Sequence, residues 1–216
     1  LSVLYPFWSM LVDSLSTPDF ARQMGIKLWP RPLTLDPYQQ VFERPIVWLA
    51  YANTIWRSVS GTVVSMVVCF AAAYAVSKQR MPGSRALTVF MVFTMFFSGG
   101  LIPMYLLLRM LGMTNTLWAL IFPGAISVYN TIIMRSFFDV FSEEVIESAR
   151  MDGAGEFQIL FRIVLPLSMP VLMTIGLYFA VAHWNEFFRA VFFVPNARLH
   201  PLQPVLRSIL LSATEL

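Results

Sequence analysis

Charge is scarce in this chain: Asp, Glu, Lys and Arg make up only 12% of its 216 residues, against 57% hydrophobic and 15% aromatic ones. A composition so apolar, with a mean hydropathy of +0.67, excludes a soluble domain of this length and assigns the chain to a bilayer. No Asp or Glu stands between Arg57 and Arg135, which argues against an ATP-independent channel or ion-coupled transporter, since those are expected to carry intramembrane carboxylates. Cysteine occurs once, as Cys69 in the middle of an apolar run, where it can form no intrachain disulfide and is expected to be a small packing residue. Neither Lys27 nor Lys78 follows a glycine, so no phosphate-binding P-loop exists and the chain cannot hydrolyse ATP by that route. No Gly-x-Ser-x-Gly elbow and no Cys–His pairing suggests a nucleophile. His183 and Glu186 share a helical face, but the second histidine, His200, sits in a proline-flanked loop, so no metal site is expected. The net charge of +3 comes from thirteen Arg and two Lys scattered singly, which is no nucleic-acid footprint. No secretory signal, low-complexity run or solenoid repeat is visible in these residues.

What remains is a series of long apolar stretches bracketed by charge. Arg57 and Lys78 enclose twenty uncharged residues, 58–77, about 30 Å of helix and a match to the hydrocarbon thickness. Further helices are expected at about 86–108, with Gly99, Gly100 and Pro103 as kink points, at 117–134 and at 163–185. The stretch 1–12 is apolar, but at about 18 Å of helix it is too short to cross. It reads as the second half of a span in a trimmed chain, and 209–216 leaves no room for another. Residues 13–45 form the one long polar segment, cut into turns and short pieces by Pro18, Pro30, Pro32, Pro37 and Pro45, and are expected to be an extracytoplasmic loop that could floor a docking protein. The connection 78–85 carries Lys78, Arg80 and Arg85 and no acid, which marks it as cytoplasmic, although a tally of positive charges over the whole chain does not decide the orientation.

The segment 136–162 is organised differently from the spans. Ser142 is a good helix N-cap, Glu143 and Glu144 put negative charge on the first turn, and Phe141 with Ile146 can close a hydrophobic staple. At about 100° per residue Val145, Ile146, Ala149 and Gly153 share one face, with Glu143, Glu147 and Arg150 opposite. Gly153 supplies a stop and Gly155 a second flexible point. From Phe157 the apolar residues recur at helical spacing until Pro166 and Pro170 bend the chain into the next span. The expectation is a short helix, a turn and a second helix.

The run Glu147-Ser148-Ala149-Arg150-Met151-Asp152-Gly153, followed after nine residues by Ile163-Val164-Leu165-Pro166, resembles the EAA signature of ATP-binding-cassette (ABC) importer permeases, Glu-Ala-Ala, three residues, Gly, nine residues, Ile-x-Leu-Pro. Ser148 is the one departure, small for small. Trp184-Asn185-Glu186-Phe187, Ser98-Gly99-Gly100-Leu101-Ile102-Pro103 and Leu111-Gly112 with Asn115-Thr116 are similar to motifs of the carbohydrate-uptake branch. Within it the chain resembles the second permease subunit of bacterial alginate-oligosaccharide importers.

The resemblance implies an all-α membrane protein with the type I, maltose-importer-like transmembrane fold, a six-helix core whose first and last helices are truncated or missing here. It implies a multi-pass place in the bacterial cytoplasmic (inner) membrane and partners in a homologous second permease, a dimer of ATP-binding subunits, an extracytoplasmic solute-binding protein and an oligosaccharide. No cofactor is expected in this chain, ATP and Mg being bound by the ATPase subunits, and no catalysis by the chain itself. The signature loop would be a coupling helix seated in a cleft of the ATPase, with Glu147, Ser148, Ala149, Arg150, Asp152 and Gly153 at the contact. The polar and aromatic residues Tyr129, Asn130, Tyr178, His183, Trp184, Asn185 and Glu186 are candidates for a sugar path, since rings offer flat faces to sugar C–H surfaces and amides bond to hydroxyls. Interfacial belts and helix packing use the same residue types. Arg57, Arg109 and Arg189 suit an acidic sugar at the outer mouth and equally suit boundary residues that snorkel.

Overall fold

The computed structural model describes residues 3–23, 25–77, 82–97, 99–139 and 143–214, the side chains of 143, 144, 213 and 214 aside. Outside the described residues lie Leu1 and Leu216 at the ends, Lys78 and Arg80 of the basic connection, Ser98, and the Phe141 and Ser142 of the expected staple and cap. Among the described residues the chain is helical and contains one isolated antiparallel bridge, Ser16 with Leu33. It divides into two compact units, 1–49 and 50–216.

The first unit holds α1 (Tyr5–Ser14), α2 (Pro18–Ala21) and α3 (Asp36–Phe42). Prolines that break the segment also start its helices: Pro18 opens α2 and Pro37 lies in the first turn of α3, where a missing N–H costs nothing and the fixed φ is already helical. Lys27 ties the loop back to α1, its ammonium 2.8 Å from Asp13 and its backbone N–H on the Tyr5 hydroxyl. Ser14 and Tyr38 join α1 to α3 through their hydroxyls at 2.9 Å.

The second unit is organised along the greater part, from Ala50 on, of α4 (Pro45–Ser77), 33 residues or about 50 Å of helix. It is the one described helix long and apolar enough to cross a membrane by itself. Small residues recur along it every four positions, at Gly61, Ser65, Cys69 and Ala73, and this stripe lets other backbones come close. The Cys69 thiol, fully buried, lies 3.8 Å from the Ser127 carbonyl and accepts the Ser127 N–H at 3.4 Å. Cys69 and Ala73 then pack with Met134, Phe138, Ile159, Val164, Ile175 and Phe179 in the larger of two cores.

Where single helices are expected at 86–108, 117–134 and 163–185, the backbone runs as pairs. The first is α5 (Ser84–Phe96) and α6 (Leu101–Met110), parted at Gly100, whose φ of +83° lies outside any right-handed helix. The second has two short 3-10 turns, Leu117–Leu120 and Phe122–Gly124, before α7 (Val128–Phe138), with a 50° bend. Pro123 and Gly124 end the turns, and the Ser127 hydroxyl caps α7 by accepting the Asn130 N–H. The third begins with α9 (Glu156–Ile159), a π-helical turn (Leu160–Val164) and α10 (Leu165–Leu167), then turns by 77° into α11 (Met169–Trp184). Pro166 and Pro170 flank that bend, and Ser168 puts its hydroxyl on the Val164 carbonyl at 2.6 Å. If each bent pair counts as one span, the described residues hold up to four by length and composition. Two further helices, α12 (Phe188–Phe193) and α13 (Leu202–Thr214), follow, and α12 joins α6 and the first 3-10 turn in the smaller core.

Candidate functional site

Two places in the second unit gather the residues that the sequence singles out. The first is the hairpin formed by α8 (Glu143–Met151) and α9. Helix α8 stops in a six-residue C-terminal motif: the Ala154 N–H reaches the Ala149 carbonyl at 2.9 Å and the Gly153 N–H the Arg150 carbonyl at 3.0 Å. Gly153 holds the left-handed position this closure requires, φ +83°. Ile146, Ala149 and Ala154 turn toward the larger core, whereas Glu147, Ser148 and Asp152 are exposed and Val145 is open to solvent as well. Arg150 folds across the turn, its Nε and Nη2 donating to Glu156 Oε1 at 3.2 and 2.8 Å. The other carboxylate oxygen of Glu156 lies 3.4 Å from the Tyr74 hydroxyl near the end of α4. The hairpin therefore has a fixed turn, an apolar back and a polar outer surface, and Glu156 connects it to the longest helix of the fold.

The other place is a buried charge cluster. Arg57 is the thirteenth residue of α4 and its side chain is 1% exposed, so it is not a residue that snorkels at a boundary. Its Nη1 donates to the carbonyl of His183 and its Nη2 to that of Leu120 at 3.3 Å. The same Nη2 lies 3.5 Å from Glu186 Oε2, and Arg189 Nε approaches that oxygen to 3.4 Å. Glu186 accepts the Arg189 backbone N–H on its other oxygen at 3.1 Å. One carboxylate is thus shared by two guanidinium groups at the junction of α11 and α12. The His183 ring lies over Gly61, with Nε2 3.4 Å from the Ser65 hydroxyl. A methyl group at Gly61 would fall 2.7 to 2.9 Å from three ring atoms. Gly61→Ala is expected to destabilise the fold by about 1 to 3 kcal/mol, because the buried His183 ring has to shift to admit the methyl group. A thermal midpoint in detergent or nanodiscs checks this, and an unchanged midpoint contradicts the packing described.

The remaining candidates are dispersed. Trp184 meets Tyr51 edge to face at 5.9 Å between ring centroids, and Asn185 caps α11 with its backbone. Tyr129 and Tyr178 are exposed, while Asn130 is buried in the first turn of α7. Among the described residues no hydrogen bond or ion pair links Tyr129, Asn130 or Tyr178 to the charge cluster. Asn115 serves the backbone, at φ +61° with its side-chain oxygen on the Asn196 N–H at 3.0 Å. The pairing of Glu156 and the burial of Arg57 were not legible in the sequence. Glu156 lies beyond a glycine turn whose geometry the sequence alone does not set, and Arg57 has the position of a charge that closes an apolar run.

Residues 45–206 match the family of binding-protein-dependent transport system inner membrane components. The chain is 38% identical over 206 residues to protein LplC of Bacillus subtilis, covering 95% of this chain and 70% of that one. It is 36% identical over 211 residues to the polygalacturonan/rhamnogalacturonan transport system permease protein YtcP of the same organism, covering 98% and 74%. Among solved structures, a chain of a bacterial ABC transporter involved in the import of the acidic polysaccharide alginate superposes with a TM-score of 0.92 at 35% identity, over 96% of this chain and 74% of that one.

Proposed function

Because this chain belongs to the family of binding-protein-dependent transport system inner membrane components, we propose that it forms half of the translocation pore of an ATP-driven oligosaccharide importer, coupled to its motor through the α8–α9 hairpin. The substrate is an acidic oligosaccharide, of the kind released from alginate or polygalacturonan. Two relatives point that way: one is described as transporting polygalacturonan and rhamnogalacturonan, the other as importing alginate. The partners are a homologous second permease, two ATP-binding subunits and an extracytoplasmic solute-binding protein. ATP and Mg are bound by the ATP-binding subunits, and this chain carries no catalytic group for hydrolysis. It works by conformational change: closure of the motor around ATP moves the docked hairpin, and the packed helices pass that motion to the outer gate.

The observation that carries the coupling role is the hairpin itself, with its turn locked at Gly153, Ile146 and Ala149 against the core and Glu147, Ser148 and Asp152 turned outward. A rigid lever needs that combination, since a loop free to flex would absorb the stroke. On the substrate path we place Trp184 and Glu186 beside His183 at the end of α11, with Asn185, Tyr178, Tyr129 and Asn130 as further lining. The test is purification of this chain from a membrane together with the proteins that hold to it, followed by reconstitution into liposomes. An ATP-binding subunit is expected to co-purify, and its hydrolysis is expected to rise when a loaded binding protein is added. Uptake that proceeds without ATP, or a chain isolated with no ATP-binding partner, overturns the proposal in favour of an ATP-independent transporter.

A further inference from the structure

We infer that Arg189 reads the carboxylate of the passing sugar, with Arg57 and Glu186 as the buried mount that presents it. The inference rests on the importer reading and assigns its substrate selectivity to a residue. Two guanidinium groups face one carboxylate here, so the cluster keeps an excess positive charge inside an apolar chain. Such a charge attracts an anion. The two arginines are placed very differently with respect to an incoming anion. Arg57 is 1% exposed and spends its Nη atoms on the carbonyls of His183 and Leu120. Arg189 is 39% exposed, and its guanidinium makes no hydrogen bond among the described residues, the Glu186 oxygen standing 3.4 Å away in electrostatic contact only. Its planar fork remains available for a second carboxylate, which a guanidinium can take in bidentate fashion.

The surroundings favour an anion at this point. The Arg189 guanidinium lies directly against Gly124, where any side chain would collide with Nη1. Gly124 ends the 3-10 turns at the break before α7. Non-helical backbone within an apolar span is tolerated where it is buried in protein or lines a polar cavity. Helix α7 begins four residues later at Val128. Glu186 then does two things. It holds Arg189 in place through the backbone N–H, and it limits how tightly the site binds an acid, so that a substrate carboxylate exchanges with an internal one and can leave again. A neutral sugar makes no such exchange.

The test compares uptake of a saturated oligogalacturonate with that of a carboxyl-reduced oligomer of equal length, by the complete complex in proteoliposomes. Each variant's acidic-to-neutral ratio is divided by that of the wild type, which cancels the selectivity of the binding protein. Arg189→Gln is expected to lower the ratio roughly tenfold, the scale of one charge-assisted hydrogen bond. Arg189→Lys, which keeps the charge and loses the fork, is expected to lower it roughly threefold, and it decides the matter if the glutamine variant does not assemble. A ratio left unchanged in the assembled variant overturns the inference, as does a wild-type complex that carries both oligomers equally well, although the importer reading then stands. A complex that takes up neither oligomer and shows no stimulated ATP hydrolysis overturns both.

Discussion

Arg57→Ala is expected to be the most destabilising single substitution in the second unit, at about 3 to 5 kcal/mol, the usual cost of removing one member of a buried charge pair. The loss has three parts. The carbonyls of His183 and Leu120 lose their donor, Glu186 keeps only Arg189, and the space that a fully buried arginine filled is left empty. For a protein of this size the thermal midpoint should fall by roughly 10 °C or more, and less protein should be recovered from the membrane. A double change gives the sharper reading. Combining Arg57→Met with Glu186→Gln removes both charges and restores apolar volume, so it is expected to recover more than half of what Arg57→Met alone loses. Additive losses, or an Arg57→Ala protein within about 0.5 kcal/mol of the wild type, would mean that the cluster is incidental to the fold.

Glu147→Ala is expected to have the opposite profile, with a normal fold and lost coupling. Glu147 is exposed on α8, and alanine is the better helix former, so the hairpin closed by Gly153 and Ala154 should persist. What disappears is a carboxylate proposed to meet a basic group in the ATPase cleft. Truncating one partner of such a desolvated pair costs about 2 to 5 kcal/mol, enough to lower substrate-stimulated hydrolysis roughly thirtyfold or more. The measurement is ATP hydrolysis by the purified complex with and without loaded binding protein, beside a thermal midpoint for this chain. Wild-type stimulation in the variant would sink the coupling role, and a collapsed midpoint would show that Glu147 serves the fold instead.

The hairpin is legible in the amino-acid sequence because its signals are local. A stop at Gly153, apolar residues at helical spacing and prolines at 166 and 170 act within a few residues of themselves, and the chain follows them. The breaks in the spans are half legible. Pro123, Gly124 and Gly100 stand in plain view, yet a long apolar run reads as one rod until the tertiary structure shows that the backbone leaves the helix at those points. The members of the charge cluster can be picked out singly in the sequence, but their meeting cannot. Arg57, Leu120, His183 and Arg189 lie up to 132 positions apart, and no periodicity connects them.

The sequence by itself determined the class of this protein, because the scarcity of charge and the spacing of the signature loop are properties of composition and short range. It also determined where the α8–α9 hairpin, proposed as the lever, had to form. Only the tertiary structure decided what Arg57 is for. An arginine at the edge of an apolar run can end it or enter it, and the choice depends on whether distant carbonyls and a distant carboxylate are brought close enough to replace the water that it gives up.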